Sequence, residues 1–309
     1  MEKNKNKIIF FMPSIDGGGV EKNLFIISNY IRKKINNVSI VTFDKKFKKF
    51  FNDKIEIISV DNIENNKNYS KYYKYLKCIN LLMKEYYKNK NILVIAFQAN
   101  IYAVILAFFF NFKIICRSNS SPTGWGHNIF KKFVFKFFYK YADEIIVNSK
   151  DFQNEFKQKF NLKTTCIYNP LDKNRIANLS KKKIKFDFFD NKKYLNIINI
   201  ARFTDQKDHL TLLKCFKNLN NKVKTKLVII GYGQNKRKIE YFVKENKLIK
   251  NVKILSFKKN PYPYIKKSDL FVLTSKYEGL PNVLLEAQVL KKFIISSDCP
   301  TGPKEILLK

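Results

Sequence analysis

Two α/β domains, each a parallel sheet flanked by helices, are what this sequence predicts, and three observations predict them. Short apolar runs alternate with stretches of helical period along nearly the whole chain, the pattern of parallel strands covered by helices on both faces. The alternation pauses once, at a polar, lysine-rich stretch ending near residue 193, and then resumes. The length of 309 residues suits two such domains better than one, and 45% apolar residues suffice for two cores.

In the first series the strand-like runs fall at residues 7–12, 38–43, 55–60, 92–96, 113–116, 144–147 and 165–168. A helical stretch at 20–32 follows the first run, and others lie between most of the rest. The second series has strand-like runs at 195–200, 227–231, 252–256, 270–274 and 293–297. These runs predict a first domain over residues 1–172, a linker over 173–193 and a second domain over 194–309. Ligands of open α/β sheets sit beyond the carboxyl ends of the strands, so the residues just after each run are where chemistry is sought.

The chain carries 60 Lys and Arg against 25 Asp and Glu, a formal net charge of +35. Such an excess favours an anionic partner: nucleic acid, an acidic membrane surface or phosphorylated substrates. Nucleic acid ranks last, because no RNP, helix-turn-helix or zinc-finger pattern is present. The five cysteines are scattered and lack any C-x-x-C pair, which argues against a zinc site or a disulfide scaffold and suits a reducing cytosol. The apolar stretch 101–112 is interrupted by Asn111 and falls short of the roughly 20 residues a bilayer requires. No signal-peptide pattern opens the chain. A cytoplasmic protein is expected, peripheral on the inner face of the plasma membrane if it meets a membrane at all.

Asp16-Gly17-Gly18-Gly19 lies between the first strand and the first helix. Glycines there let backbone approach a ligand, and a helix N-terminus favours anions. A tight turn explains the same residues equally well. Arg202 and Lys207 follow the first strand of the second series and could clamp a diphosphate, the guanidinium forking onto oxygens and the ammonium acting as a point charge. The bland alternative is a solvated charged loop.

The most specific stretch is Glu278-Gly279-Leu280-Pro281-Asn282-Val283-Leu284-Leu285-Glu286-Ala287. Gly279 permits a sharp turn, and Pro281 suits the first helical position. Glu278 then sits in the loop before a helix. Glu286 sits on that helix, about 7.5 Å along its axis from Pro281. One site could thus offer a carboxylate for a sugar, free amides for phosphate and a second carboxylate for ribose hydroxyls. The two histidines, His127 and His209, have no partner at catalytic spacing; His209 reads as a helix-start residue. Residues 129–141 interleave lysines with aromatic residues at helical spacing, as in helices that seek a membrane surface.

At Glu278 to Ala287 the sequence resembles the retaining glycosyltransferases called group 1, or family 4. The likeness extends through Pro13 to Lys22, Val147-Asn148-Ser149, Tyr168-Asn169-Pro170, Arg202 to Lys207, Gly231-Tyr232-Gly233, Asn260 to Tyr264 and Ser297 to Glu305. It departs from many relatives at Ser256, where they have glycine, and at residues 291–293, where they have Gly-x-Pro. The resemblance implies the GT-B architecture, two Rossmann-like, doubly wound domains facing a cleft, with acceptor on the first and nucleotide-sugar on the second. It implies that Arg202, Lys207 and Glu278 serve catalysis. Arg202 and Lys207 would hold the donor diphosphate, Glu278 would sit by the donor sugar and Glu286 would bind the ribose. Gly17, Gly18, Gly279, Leu280, Asn282 and Val283 would complete the donor site. The donor expected is a nucleotide-sugar, by family habit a UDP-sugar, with neither metal nor other cofactor. The acceptor expected is a glycan, lipid-linked by family habit, in cell-surface polysaccharide synthesis.

Against the family's pattern the second domain looks cut short after Glu305. That predicts partly uncovered apolar side chains at Phe293, Ile294, Ile295, Ile306 and Leu307. It also leaves a second reading, an inactive remnant or sugar-nucleotide-binding module.

Overall fold

The run Lys-Ile-Ile-Phe-Phe forms β1 (Lys7–Phe11), buried from its second residue onward. Side chains alternate across a strand, and here both faces are covered. Ile9 and Phe11 join one apolar cluster, while Ile8 and Phe10 join the other. That is why β1 reads as continuous rather than alternating apolar sequence.

In the computed structural model residues 6–16, 18–60, 69–119 and 129–308 are described. The chain divides into two compact units, Met1–Pro170 and Leu171–Lys309. In the first unit β1 is followed by α1 (Gly19–Arg32), β2 (Val38–Val41), β3 (Glu56–Ile58), α2 (Lys71–Lys88), β4 (Ile92–Ala96), α3 (Asn100–Phe110) and β5 (Lys113–Ser118). Then come α4 (Ile129–Tyr139), β6 (Glu144–Val147), α5 (Lys150–Phe160) and β7 (Thr165–Cys166). The seven strands lie in the order β3-β2-β1-β4-β5-β6-β7 and pair in parallel throughout.

The second unit begins with α6 (Lys173–Ser180) and continues through β8 (Leu195–Ile200), α7 (His209–Asn220), β9 (Thr225–Gly231), α8 (Lys236–Glu245) and β10 (Val252–Ser256). It ends with α9 (Tyr262–Lys267), β11 (Leu270–Leu273), α10 (Asn282–Val289), β12 (Phe293–Ser296) and α11 (Pro303–Leu307). Its five parallel strands run β10-β9-β8-β11-β12. One face packs on α7 and α8 through Leu212, Phe216, Ile239 and Val243; the other carries Ile265, Leu284 and Ala287. Both sheets match the doubly wound α/β class expected.

The boundary differs from the linker expected over 173–193. Asp172 caps α6 by accepting from the Arg175 N–H at 2.9 Å. Ile176, Phe186 and Phe189 are buried in the second unit's core. The lysines that make this stretch look like a linker face outward, while its sparse apolar residues are spaced to reach one core. The division therefore falls between Pro170 and Leu171.

At the edge strand β12, Phe293 and Ile295 are 83% and 58% exposed. Ile294 and Leu307 pack against the core instead, and Ile306 is buried within it. The Gln288 amide ties α11 to α10 by donating to the Ile306 carbonyl at 3.0 Å. Of the five side chains expected to be uncovered, only the two on the outward face of β12 are exposed, as strand alternation requires.

Candidate functional site

The carboxyl ends of β8, β11 and β12, neighbours in the second sheet, carry the residues singled out by sequence. After β8 the chain turns tightly. The Phe203 N–H donates to the Tyr232 carbonyl at 2.7 Å, and the Phe203 ring is fully buried. A Cβ at Gly231 would stand 1.9 Å from the Ala201 carbonyl oxygen, so only glycine lets the exits of β8 and β9 lie this close. Arg202, on this turn, is exposed.

The segment Asp205–Lys207 is a single 3-10 turn. Asp208 then caps α7, its carboxylate accepting from the Thr211 N–H at 3.3 Å and the Thr211 hydroxyl at 2.9 Å. The end of β11 holds this loop. The Thr274 hydroxyl lies 3.2 Å from the Lys207 carbonyl and 3.0 Å from the Asp208 carbonyl. The Lys276 N–H donates to the Gln206 carbonyl at 2.8 Å, and the Gln206 amide returns a bond to the Tyr277 carbonyl at 2.8 Å.

These bonds bring Lys207 and Glu278 together. The ammonium donates to the Glu278 carboxylate, and both side chains are largely buried. The loop after β12 closes the arrangement. The Thr301 hydroxyl donates to the Glu278 carbonyl, and the Ser297 hydroxyl donates to the Ser275 carbonyl at 2.6 Å. Gly302, at φ +81°, lies so near Gly279 that a Cβ would fall 1.7 Å from the Gly279 carbonyl oxygen.

Pro281 is the cap of α10, with extended backbone at φ −71° and ψ 105°, and the helix begins at Asn282. The first-helical position expected for Pro281 is thus off by one. Proline fits either place, because a cap residue's N–H is not needed inside the helix. Asn282 and Val283 are half-buried at the helix start. Leu280 buries its side chain in the apolar core. Glu286 is buried on α10, where its Oε1 accepts from the Tyr262 hydroxyl at 3.3 Å. Lys207, Glu278 and Gly279 are therefore assembled by the fold, Arg202 stands on the same loop as Lys207, and Glu286 faces inward.

His209 opens α7 as expected for a helix-start residue. It is buried edge-on to Phe203, with ring centroids 5.2 Å apart. Burial, aided by the Lys207 charge and opposed by Asp208, pushes its pKa down to about 4, so the imidazole is neutral at physiological pH. In the first unit Gly18 caps α1, whose first turn carries Glu21. Gly17 and His127 lie outside the described residues. Among the described residues no group of three or more His, Cys, Asp or Glu side chains is placed to hold a metal ion.

Sequence reasoning gave no role to the staples: Gln206, Thr274 and Ser297 tie the three loops, and Tyr262 meets Glu286, although Gln206, Ser297 and Tyr262 lie in stretches singled out in the sequence. Thr301 lies in one of these stretches too, but the pattern carried no sign that its hydroxyl reaches the Glu278 carbonyl.

Known proteins resemble both units. The model of Glycosyltransferase Family 4 matches residues 17–175, and that of Glycosyl transferases group 1 matches residues 180–309. An uncharacterized glycosyltransferase of Methanocaldococcus jannaschii is 36% identical over 64% of this chain and 51% of its own length. An N-acetylgalactosamine-N,N'-diacetylbacillosaminyl-diphospho-undecaprenol 4-alpha-N-acetylgalactosaminyltransferase of Campylobacter jejuni is 30% identical over 58% of this chain and 48% of its own length. The chain spans about half the length of these curated relatives. The crystal structure of Anabaena HepE in complex with UDP-glucose superposes with a TM-score of 0.75 over 98% of this chain and 83% of that one, at 17% identity. That likeness bears on the fold.

Proposed function

The chain belongs to glycosyltransferase family 4, and on that footing we propose that it transfers a hexose or N-acetylhexosamine from a UDP-sugar to a glycan acceptor, lipid-linked, with retention at the anomeric carbon. The observation that carries this reading is the Lys207–Glu278 pair at the carboxyl ends of β8 and β11, with Arg202 on the same loop as Lys207. The UDP-glucose held by the structural neighbour and the diphospho-undecaprenol in the name of the Campylobacter relative support the donor and acceptor classes.

The chemistry follows from where charge develops. As the bond from the anomeric carbon to the β-phosphate oxygen breaks, negative charge grows on the diphosphate and positive charge on the sugar. Arg202 and Lys207 neutralise the first, helped by the positive end of the α10 dipole. Glu278 faces the second. Glu278 also supplies the counter-charge for Lys207, so a donor diphosphate replaces one anion by another rather than meeting a naked cation. The acceptor oxygen bonds to the anomeric carbon on the face the phosphate leaves, and its proton passes to the departing phosphate oxygen.

Membrane contact belongs to the same proposal. No helix among the described residues is long and apolar enough to cross a bilayer. Phe133 and Phe137 on α4 are exposed, as are Phe108 and Phe109 on α3. The Phe108 and Tyr141 rings pack at a tilt with centroids 4.5 Å apart, and the Lys140 ammonium lies 4.6 Å from the Phe137 ring centroid. An aromatic and basic surface of this kind suits an anionic leaflet. The test of the whole reading is a panel of nucleotide-sugars, scored for binding by calorimetry and for sugar release or transfer. Binding of no nucleotide-sugar would remove the reading.

A further inference from the structure

Arg117, one residue from the end of β5, is a buried cation with no counter-ion among the described residues. It is 3% exposed in the first unit. Its Nη2 donates to the Ile167 carbonyl at 3.2 Å and to the Asn169 side-chain oxygen at 3.0 Å, while Nε is buried with no partner. Phe97 covers it, with the guanidinium carbon 5.9 Å from the ring centroid. It makes no ion pair among the described residues. Burial lowers its pKa to about 10. Two neutral oxygens offset only part of the cost of taking a guanidinium out of water, so the site is unbalanced by one negative charge.

Its neighbours are unfilled too. The register sets Arg117 opposite Ile146 on β6, which places Asn148, two residues on, at the same face. To reach Ile167 and Asn169 beyond β7, the Arg117 side chain crosses the end of β6, where Asn148 stands. The Asn148 side-chain oxygen is buried without a partner. Asn119, two residues after Arg117, uses its amide nitrogen on the Phe97 and Arg117 carbonyls, at 3.3 and 3.2 Å. Its side-chain oxygen is likewise buried and unpartnered. One cationic donor and two amide acceptors thus share the carboxyl edge of β5 and β6, where parallel sheets bind ligands. Their complement is an oxyanion flanked by hydroxyl groups.

We propose that Arg117, Asn119 and Asn148 form a subsite for an anionic sugar, with a carboxylate or phosphate oxygen on the guanidinium and sugar hydroxyls donating to the two amide oxygens. That this sugar belongs to the acceptor rests on the transferase reading above; the subsite itself does not.

The test titrates the whole chain with glucose, glucuronic acid and glucose 1-phosphate by saturation-transfer NMR, with UDP in excess to engage Arg202 and Lys207. At least one acidic sugar binds tenfold or more tighter than glucose, and which one does so separates carboxylate from phosphate. Arg117→Met abolishes that difference. Asn148→Asp, which puts a carboxylate beside the guanidinium, abolishes it as well and decides the matter if Arg117→Met does not fold. The preference persists in Arg202→Ala, which places it outside the donor site. Equal binding of the three sugars, or an acid preference retained in Asn148→Asp, overturns the subsite and leaves Arg117 as a tie between β5 and the Ile167–Asn169 segment. UDP affinity is measured separately, since its absence would sink the donor reading alone.

Discussion

Lys207 and Glu278, 71 positions apart in the chain, form a buried ion pair where the loops after β8 and β11 meet. Removing one partner of such a pair strands a charge and costs about 3–5 kcal/mol, whereas replacing both with apolar residues costs far less. Lys207→Met is therefore expected to destabilise the chain strongly, and Lys207→Met with Glu278→Leu to recover much of the loss. Denaturant unfolding of the full cycle measures this. Additive effects would show that the two side chains are not coupled.

The two cations are assigned to phosphate rather than to nucleoside. Arg202→Ala and Lys207→Ala should each weaken UDP binding by about tenfold or more, the scale of a charge-assisted hydrogen bond, with little change for uridine. Calorimetry with both ligands decides it. Equal losses for UDP and uridine would remove the diphosphate role. Glu278→Gln is expected to lower turnover more than donor affinity, and Glu286→Gln the reverse.

His209 contributes an acid-side loss of stability. Its folded pKa is pushed down to about 4 from an ordinary 6.5. Between these values the unfolded chain takes up a proton that the folded chain refuses. Stability is whole above about pH 6.5 and falls as pH drops towards 4, by about 3 kcal/mol at most. His209→Phe should flatten that part of the melting-temperature profile. An unchanged slope would mean that other groups carry it.

Gly302→Ala tests the packing of the loops after β11 and β12. The positive φ of Gly302 disfavours any side chain, and a methyl carbon there would fall 1.7 Å from the Gly279 carbonyl oxygen. Strain of this sort costs on the order of 1–3 kcal/mol. Both melting temperature and UDP affinity should fall, because Gly279 follows Glu278. Retained affinity would separate this loop from the donor site.

Membrane attachment is expected to need both charge and aromatic surface. Lys136→Gln with Lys140→Gln should reduce binding to anionic vesicles, as should added salt. Phe133→Ser with Phe137→Ser should reduce it at every salt concentration. Binding to neutral and anionic vesicles alike, or to neither, would defeat the proposal.

Strand positions and domain number were legible in the sequence because they rest on local patterns. Apolar runs such as Ile8 to Phe11 and Leu227 to Ile230 form buried parallel strands wherever they fall, and Gly279 and Pro281 punctuate the entry to α10 by backbone geometry alone. What only the tertiary structure decided is which side chains meet. Phe186 and Phe189 sit among lysines and read as linker until a core forms to receive them. Glu286 gains a partner in the Tyr262 hydroxyl that no spacing in the sequence announces. Arg117 looks like one more basic residue among 60 until the β5–β6 register buries it without an anion. Lys207 reaches Glu278 because β8 and β11 are neighbours in the sheet. Periodicity encodes which face of an element is buried, but the pairing of distant loops depends on strand order and register, which no local pattern contains.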